Sequence, residues 1–143
     1  MNTLKKRSSS ASETKKIARE LARKLGPGDV VTLRGELGAG KTTFAKGLAK
    51  GLGVRSEKEV SSPTFVIIHE YEGRLPLYHL DWYRLERVAG ADREMAEECF
   101  SGEGVTLVEW PERGKALLPR HHFDVHLRHA GATSRTIEIR FKK

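Results

Sequence analysis

The eight residues from Gly35 to Thr42, GELGAGKT, constrain this chain more than any other stretch. They satisfy the pattern G-x-x-x-x-G-K-[ST] without a gap, and each position of that pattern has a mechanical reading. Glycines let consecutive backbone N–H groups turn inward around phosphate oxygens with no Cβ in the way. A helix that begins where the loop ends adds its positive N-terminal dipole. Lys41 reaches β- and γ-phosphates as a point charge, and the Thr42 hydroxyl completes a Mg²⁺ shell. The flanks meet the same demand. Val30, Val31, Thr32 and Leu33 read as a buried parallel-type strand, and Thr42 to Leu52 reads as a helix ended by Gly53. The competing reading is a glycine-rich turn that merely caps a helix.

The rest of the chain can be fitted around that unit. With 143 residues, 38% hydrophobic and 31% charged, it suits one globular domain. No apolar run approaches the ~20 residues of a membrane span. No apolar stretch follows the basic start MNTLKKRSSSASETKK, so no secretory signal is expected. The lone Cys99 excludes an internal disulfide framework, fits a cytoplasmic setting and reads as a buried filler. Residues 1–9 are expected to be a flexible basic tail, and 10–143 the folded domain. Ser10 and Glu13 form a capping box for a helix whose Ile17, Leu21 and Leu25 share a face, stopped by Gly26-Pro27-Gly28. FVIIHEY and PLYHLDWY predict an antiparallel hairpin around Glu72-Gly73-Arg74. Arg84 to Phe100 predicts a helix interrupted near Gly90. Val105 to Val108 predicts a second buried strand, and FDVHLRH with RTIEIRF a closing hairpin around HAGATS. The fold class is therefore α/β: a mixed, mainly parallel sheet flanked by helices, with antiparallel hairpins and a phosphate loop.

A phosphate loop holds a nucleotide but hydrolyses it poorly without an acid for Mg²⁺ or water at the end of a neighbouring strand. Glu109, delivered by the apolar run VTLV, fits that position; a surface glutamate after a strand is the alternative. Asp81 lies inside the otherwise apolar YHLDWY, where an unpaired carboxylate is costly, so it either serves Mg²⁺ or pairs with Arg84. Thr64 in SSPTF follows the nucleotide helix, where a segment sensing the γ-phosphate is commonly placed.

Absent signals narrow the class. There is no N-K-x-D guanine-reading motif, no L-S-G-G-Q signature of transport ATPases and no arginine-rich lid. The net charge of +7 is spread along the chain apart from Lys5, Lys6, Arg7, Lys15 and Lys16, with no RNA-binding aromatic signature. Three functions stay open on the residues alone. They are a partner-dependent ATPase, a kinase of a small metabolite, and a nucleic-acid-binding module switched by ATP.

GELGAGKTTFAKGL, SSPTF, YHLDWYRLE and VEWPERG, in this order, resemble the TsaE (YjeE) family. The helix SETKKIARELA and the basic closing hairpin also fit. The resemblance implies a Mg²⁺-dependent ATPase needed for threonylcarbamoyladenosine formation in tRNA. It would dock on the TsaB–TsaD transferase pair, reset it by hydrolysis and meet tRNA through that complex. It further implies that Leu37, Gly38, Ala39, Gly40, Lys41, Thr42 and Thr43 cradle the phosphates. Thr42, Asp81 and Glu109 would serve the metal, with Glu109, Asp81 and Thr64 catalytic. Trp110 is implied as a nucleotide-site or interface residue, and Thr14 and Arg135 as groups closing on the nucleotide. ADREMAEECF departs from the family pattern, with Cys99 where an aromatic residue is usual.

Overall fold

The computed structural model describes residues 3–36, 38–55, 60 and 68–142. In chain order the elements are β1 (Thr3–Ser8), α1 (Ala11–Ala22), β2 (Val30–Gly35), α2 (Lys41–Gly51), β3 (Ile68–Tyr71) and β4 (Leu77–Asp81). Then follow α3 (Ala91–Phe100), β5 (Val105–Glu109), a 3₁₀ segment (Pro111–Leu117), β6 (His122–His129) and β7 (Arg135–Lys142). The strands form one sheet in the order β1-β7-β6-β2-β5-β4-β3. β2 is parallel to both β5 and β6, and β4 is parallel to β5. The pairs β3–β4, β6–β7 and β1–β7 are antiparallel. The mainly parallel α/β sheet with antiparallel hairpins is thus the architecture the sequence predicted.

The chain leaves β2 toward β5 on one side and returns to β6 on the other, so the crevice beyond β2 is a topological switch point. α1 and α2 cover one sheet face with Ile17, Leu21, Phe44 and Leu48, closing over Val31, Leu33, Leu107, Val125 and Ile137. The two helices approach until a Cβ on Gly47 would lie 2.5 Å from the Lys15 carbonyl oxygen. α3 and the 3₁₀ segment cover the opposite face over β2, β5 and β4, around the fully buried Val30, Trp82, Leu80 and Val108. α1 begins as its capping box requires. The Ser10 hydroxyl accepts from Glu13 N at 3.1 Å, and the Glu13 carboxylate reaches back to the Ser9 hydroxyl at 2.7 Å.

Two expectations need correction. Thr3–Ser8 is not a flexible tail but an edge strand, paired residue by residue with β7 from Thr3↔Arg140 to Ser8↔Arg135. Main-chain pairing, a Lys5–Glu138 ion pair at 3.7 Å and a buried Ser8–Thr14 hydroxyl contact at 2.7 Å fix it. An edge strand needs little apolar side chain of its own, so a charged hexapeptide gives no periodic signal. The helix expected over 84–100 is confined to Ala91–Phe100. Val88 N is tied to Arg113 O, and the Arg113 guanidinium donates to Leu85 O, so 84–90 follows the 3₁₀ segment rather than a helix axis. No helix among the described residues is long and apolar enough to cross a membrane.

Candidate nucleotide site

The site is assembled from the ends of three adjacent parallel strands and the start of α2. Gly38 and Gly40 hold φ of +79° and +99°, conformations open to glycine at little cost. Gly40 is the residue at which the chain turns into α2, and Phe44 N closes the first turn on Gly40 O at 2.9 Å. The described part of the loop, Gly38 to Gly40, is therefore already turned into the start of α2. Its outer side is fastened by Arg135 at the start of β7, which donates from Nε to Ala39 O and from Nη2 to Gly38 O, each at 3.1 Å. The peptide that carries the Gly38 carbonyl is held on its other side too, because Ala39 N donates to Glu36 O at 3.0 Å. Arg135 thus does meet the loop, through its backbone.

Alternation in β4 and β5 explains the acids. Leu77, His79 and Asp81 point to the α2 face, as do Val105, Leu107 and Glu109, and the register sets Asp81 directly beside Glu109. Glu109 is only 3% exposed. An ionised carboxylate so buried must be paired. One oxygen, Oε2, accepts from His79 Nε2 at 2.6 Å, and the other, Oε1, lies 3.9 Å from Lys41 Nζ. Since a carboxylate only accepts, the imidazole hydrogen of that contact resides on Nε2. His79 is itself fully buried, and its Nδ1 has no hydrogen-bond partner among the described residues. Asp81, 6% exposed, accepts from Tyr83 N at 2.9 Å, which turns the chain away from the sheet.

Trp110 follows Glu109 with φ of +58°, the one left-handed non-glycine residue among those described. That geometry costs on the order of 1–2 kcal/mol and turns the indole back over the site. Its ring packs 4.9 Å from Tyr83, and Lys41 Nζ sits 4.8 Å from its centroid. The lysine of the loop is thus held between an aromatic face and a carboxylate, while the Thr42 side chain is exposed beside it. Thr43 lies in the same first turn of α2. Thr14 is 3% exposed, with its hydroxyl engaged by Ser8 rather than turned to solvent. Leu37 and Thr64 lie outside the described residues. Sequence reasoning overlooked His79, although the period of two in YHLD already put it on the face of Asp81.

This arrangement fits a nucleotide and its cation. The loop offers glycine-formed concavity and a helix N-terminus to phosphate. Nucleotide-bound Mg²⁺ takes one or two protein oxygens and leaves the rest of its shell to phosphate and water; the oxygens at this end of the sheet are those of Thr42 at the start of α2 and of Asp81 and Glu109 at adjacent strand ends.

Comparison with known proteins agrees with the geometry. Residues 8–137 match the family model of the "Threonylcarbamoyl adenosine biosynthesis protein TsaE". A protein of Bacillus subtilis named tRNA threonylcarbamoyladenosine biosynthesis protein TsaE is 47% identical over 138 residues, covering 96% of this chain and 85% of its own. A Treponema pallidum protein of the same name is 42% identical over 132 residues, covering 92% and 96%. The crystal structure of Bacillus subtilis YdiB superposes with a TM-score of 0.85 at 42% identity, covering 99% of this chain and 87% of that one.

Proposed function

The chain belongs to the TsaE family, and from that premise we propose that it is a cytoplasmic, Mg²⁺-dependent ATPase serving threonylcarbamoyladenosine formation in tRNA. It works on the TsaB–TsaD transferase pair, to which it docks and which it resets by hydrolysis. The observation that carries the ATPase reading is the buried Glu109 carboxylate at the end of β5, 3.9 Å from the phosphate-loop lysine.

The residues divide the work as follows. Backbone N–H groups of the loop and the start of α2 bind the phosphates, and Lys41 leaves Glu109 to join them. Thr42, Asp81 and Glu109 would hold Mg²⁺, which would supply neutralisation of the charge developing on the transferred phosphoryl group. His79 keeps Glu109 in one orientation through a fixed 2.6 Å hydrogen bond, so the carboxylate need not reorganise when Lys41 departs. Trp110 walls the pocket and limits water. The assignment of Thr64 as a γ-phosphate sensor stays part of this reading on sequence grounds.

Two measurements test it. Lys41→Ala should abolish ATP binding, whereas Glu109→Ala should bind ATP and fail to hydrolyse it. Co-purification with TsaB and TsaD, with and without a non-hydrolysable ATP analogue, tests the partner. Phosphate transfer to a small acceptor instead of water would replace the ATPase by a kinase.

A further inference from the structure

Across β1, β7, β6 and β2 the two sheet faces differ completely. One carries the buried apolar residues that lie under α1 and α2; the other carries only polar and charged side chains on β1, β7 and β6, no described helix packs on those three strands, and the 3₁₀ segment meets this face at β2. The register brings its cations together. Lys5 and Arg7 of β1 lie opposite Glu138 and Thr136 of β7, and Arg140 and Lys142 lie opposite Asp124 and His122 of β6. Arg128 and Arg34 complete the set from β6 and β2. Six guanidinium or ammonium groups thus share the face with two carboxylates.

Both carboxylates are already neutralised within the sheet. Asp124 accepts from Arg34 Nε and Nη2 at 3.1 and 2.8 Å and from the Thr32 hydroxyl at 2.8 Å. Glu138 is paired with Arg140 at 2.7 Å and Lys5 at 3.7 Å. Arg7, Arg128 and Lys142 are therefore in excess. A concavity of about 370 Å³ adjoins the face, where Lys115 and Arg120 stand near Arg34 and Lys142.

We infer that this open, cationic face of the β1-β7-β6-β2 sheet is a contact surface for the phosphate backbone of RNA. The choice of RNA rests on the tRNA-linked function proposed above. A protein partner docks through an apolar, charge-depleted core, and the strands β1, β7 and β6 supply none on this face. Phosphate recognition needs only spaced cations on a rigid support, and alternate strand residues recur about every 6.8 Å. Contacts of this kind set affinity without reading sequence.

The test is fluorescence anisotropy of the full chain with a labelled, unmodified tRNA transcript at about 50–200 mM salt. The variant combines Arg7→Glu, Arg128→Glu and Lys142→Glu. Its control combines Lys16→Glu, Arg23→Glu and Lys24→Glu, exposed on or just after α1 and equal in charge change. The face variant should bind at least tenfold more weakly, with a salt slope shallower by about two to three. The control should stay within about threefold of wild type. Equal losses in both variants, or no saturable binding by the wild type at 50 mM salt, would overturn the inference. So would a face variant that binds the transcript normally but no longer associates with TsaB and TsaD, which would assign the face to an acidic protein. Nucleotide binding is measured on the same proteins, so a failure here is separable from a failure of the ATPase reading. The matching glutamine triple replaces the glutamate variant if that one melts early.

Discussion

His79 Nε2 lies 2.6 Å from Glu109 Oε2, wholly inside the protein, while Lys41 Nζ approaches the other oxygen of the same carboxylate at 3.9 Å. The two contacts have different fates. The first joins neighbouring strands and has no reason to break. The second joins a strand to the loop and, on the proposed function, opens when phosphate claims the lysine.

Removing the fixed contact should therefore separate catalysis from binding. His79→Ala is expected to lower the ATPase kcat by about 10–100-fold, the usual loss when a group orienting a metal ligand is removed. Nucleotide affinity should change by only a few fold. His79→Gln, which can still donate to Glu109, should recover part of the rate at equal stability. Parallel losses of affinity and rate in both variants would leave His79 a packing residue.

Opening of the second contact should be visible in tryptophan fluorescence. Lys41 sits 4.8 Å from the Trp110 ring centroid, so its departure on nucleotide binding removes a cation from the indole face. ATP should shift the emission of wild type and leave Trp110→Phe, which retains the buried Trp82, unchanged. An identical shift in Trp110→Phe would place the change elsewhere.

Gly47→Ala offers a test of the helix pair in which two effects oppose. Helix propensity alone favours alanine by about 1 kcal/mol. The new Cβ would meet the Lys15 carbonyl oxygen at 2.5 Å and the Ala18 Cβ at 2.9 Å, and backbone atoms cannot step aside. The clash should win, with a net loss of about 1–3 kcal/mol by urea unfolding. A stabilised variant would mean that α1 and α2 are less closely packed.

Asp124 should give the fold part of its acid sensitivity. Burial pushes its carboxyl up, but hydrogen bonds from Arg34 and Thr32 outweigh that and hold it below the ordinary carboxylate range. A depressed folded-state value means stability that is present above the unfolded value near 3.9 and lost as pH falls through the folded one. At neutral pH, Asp124→Asn should be less stable by about 1.5–3 kcal/mol, and the gap should narrow below about pH 4. Unfolding curves whose separation does not depend on pH would contradict the pairing.

Cys99 should be inert in the folded protein. Burial lifts its thiol to about 11, leaving almost no thiolate at neutral pH. A maleimide reagent should label it only at the rate of unfolding, and rapid labelling of native protein would show that α3 opens.

What the sequence determined was local in origin. GELGAGKT could be read as the proposed phosphate cradle because consecutive residues supply the glycines, the lysine and the hydroxyl, and Gly38 and Gly40 do hold the positive φ that such a loop uses. The capping box at Ser10 and both hairpins depend on neighbours a few residues apart, so they too were legible. Glu109 and Asp81 could be named because an acid ending an apolar run is costly unless it has a task. Tertiary structure decided everything that depends on register between strands distant in the chain. His79 meets Glu109 across 30 residues, and Arg135 reaches the loop across 96 or 97. Thr3–Ser8 became a strand because β7 offered its edge, and cations that look scattered along the chain became one face. Alternation along a strand tells which side a residue takes. Only the pairing of strands tells what stands beside it, because that is set by how the whole core closes.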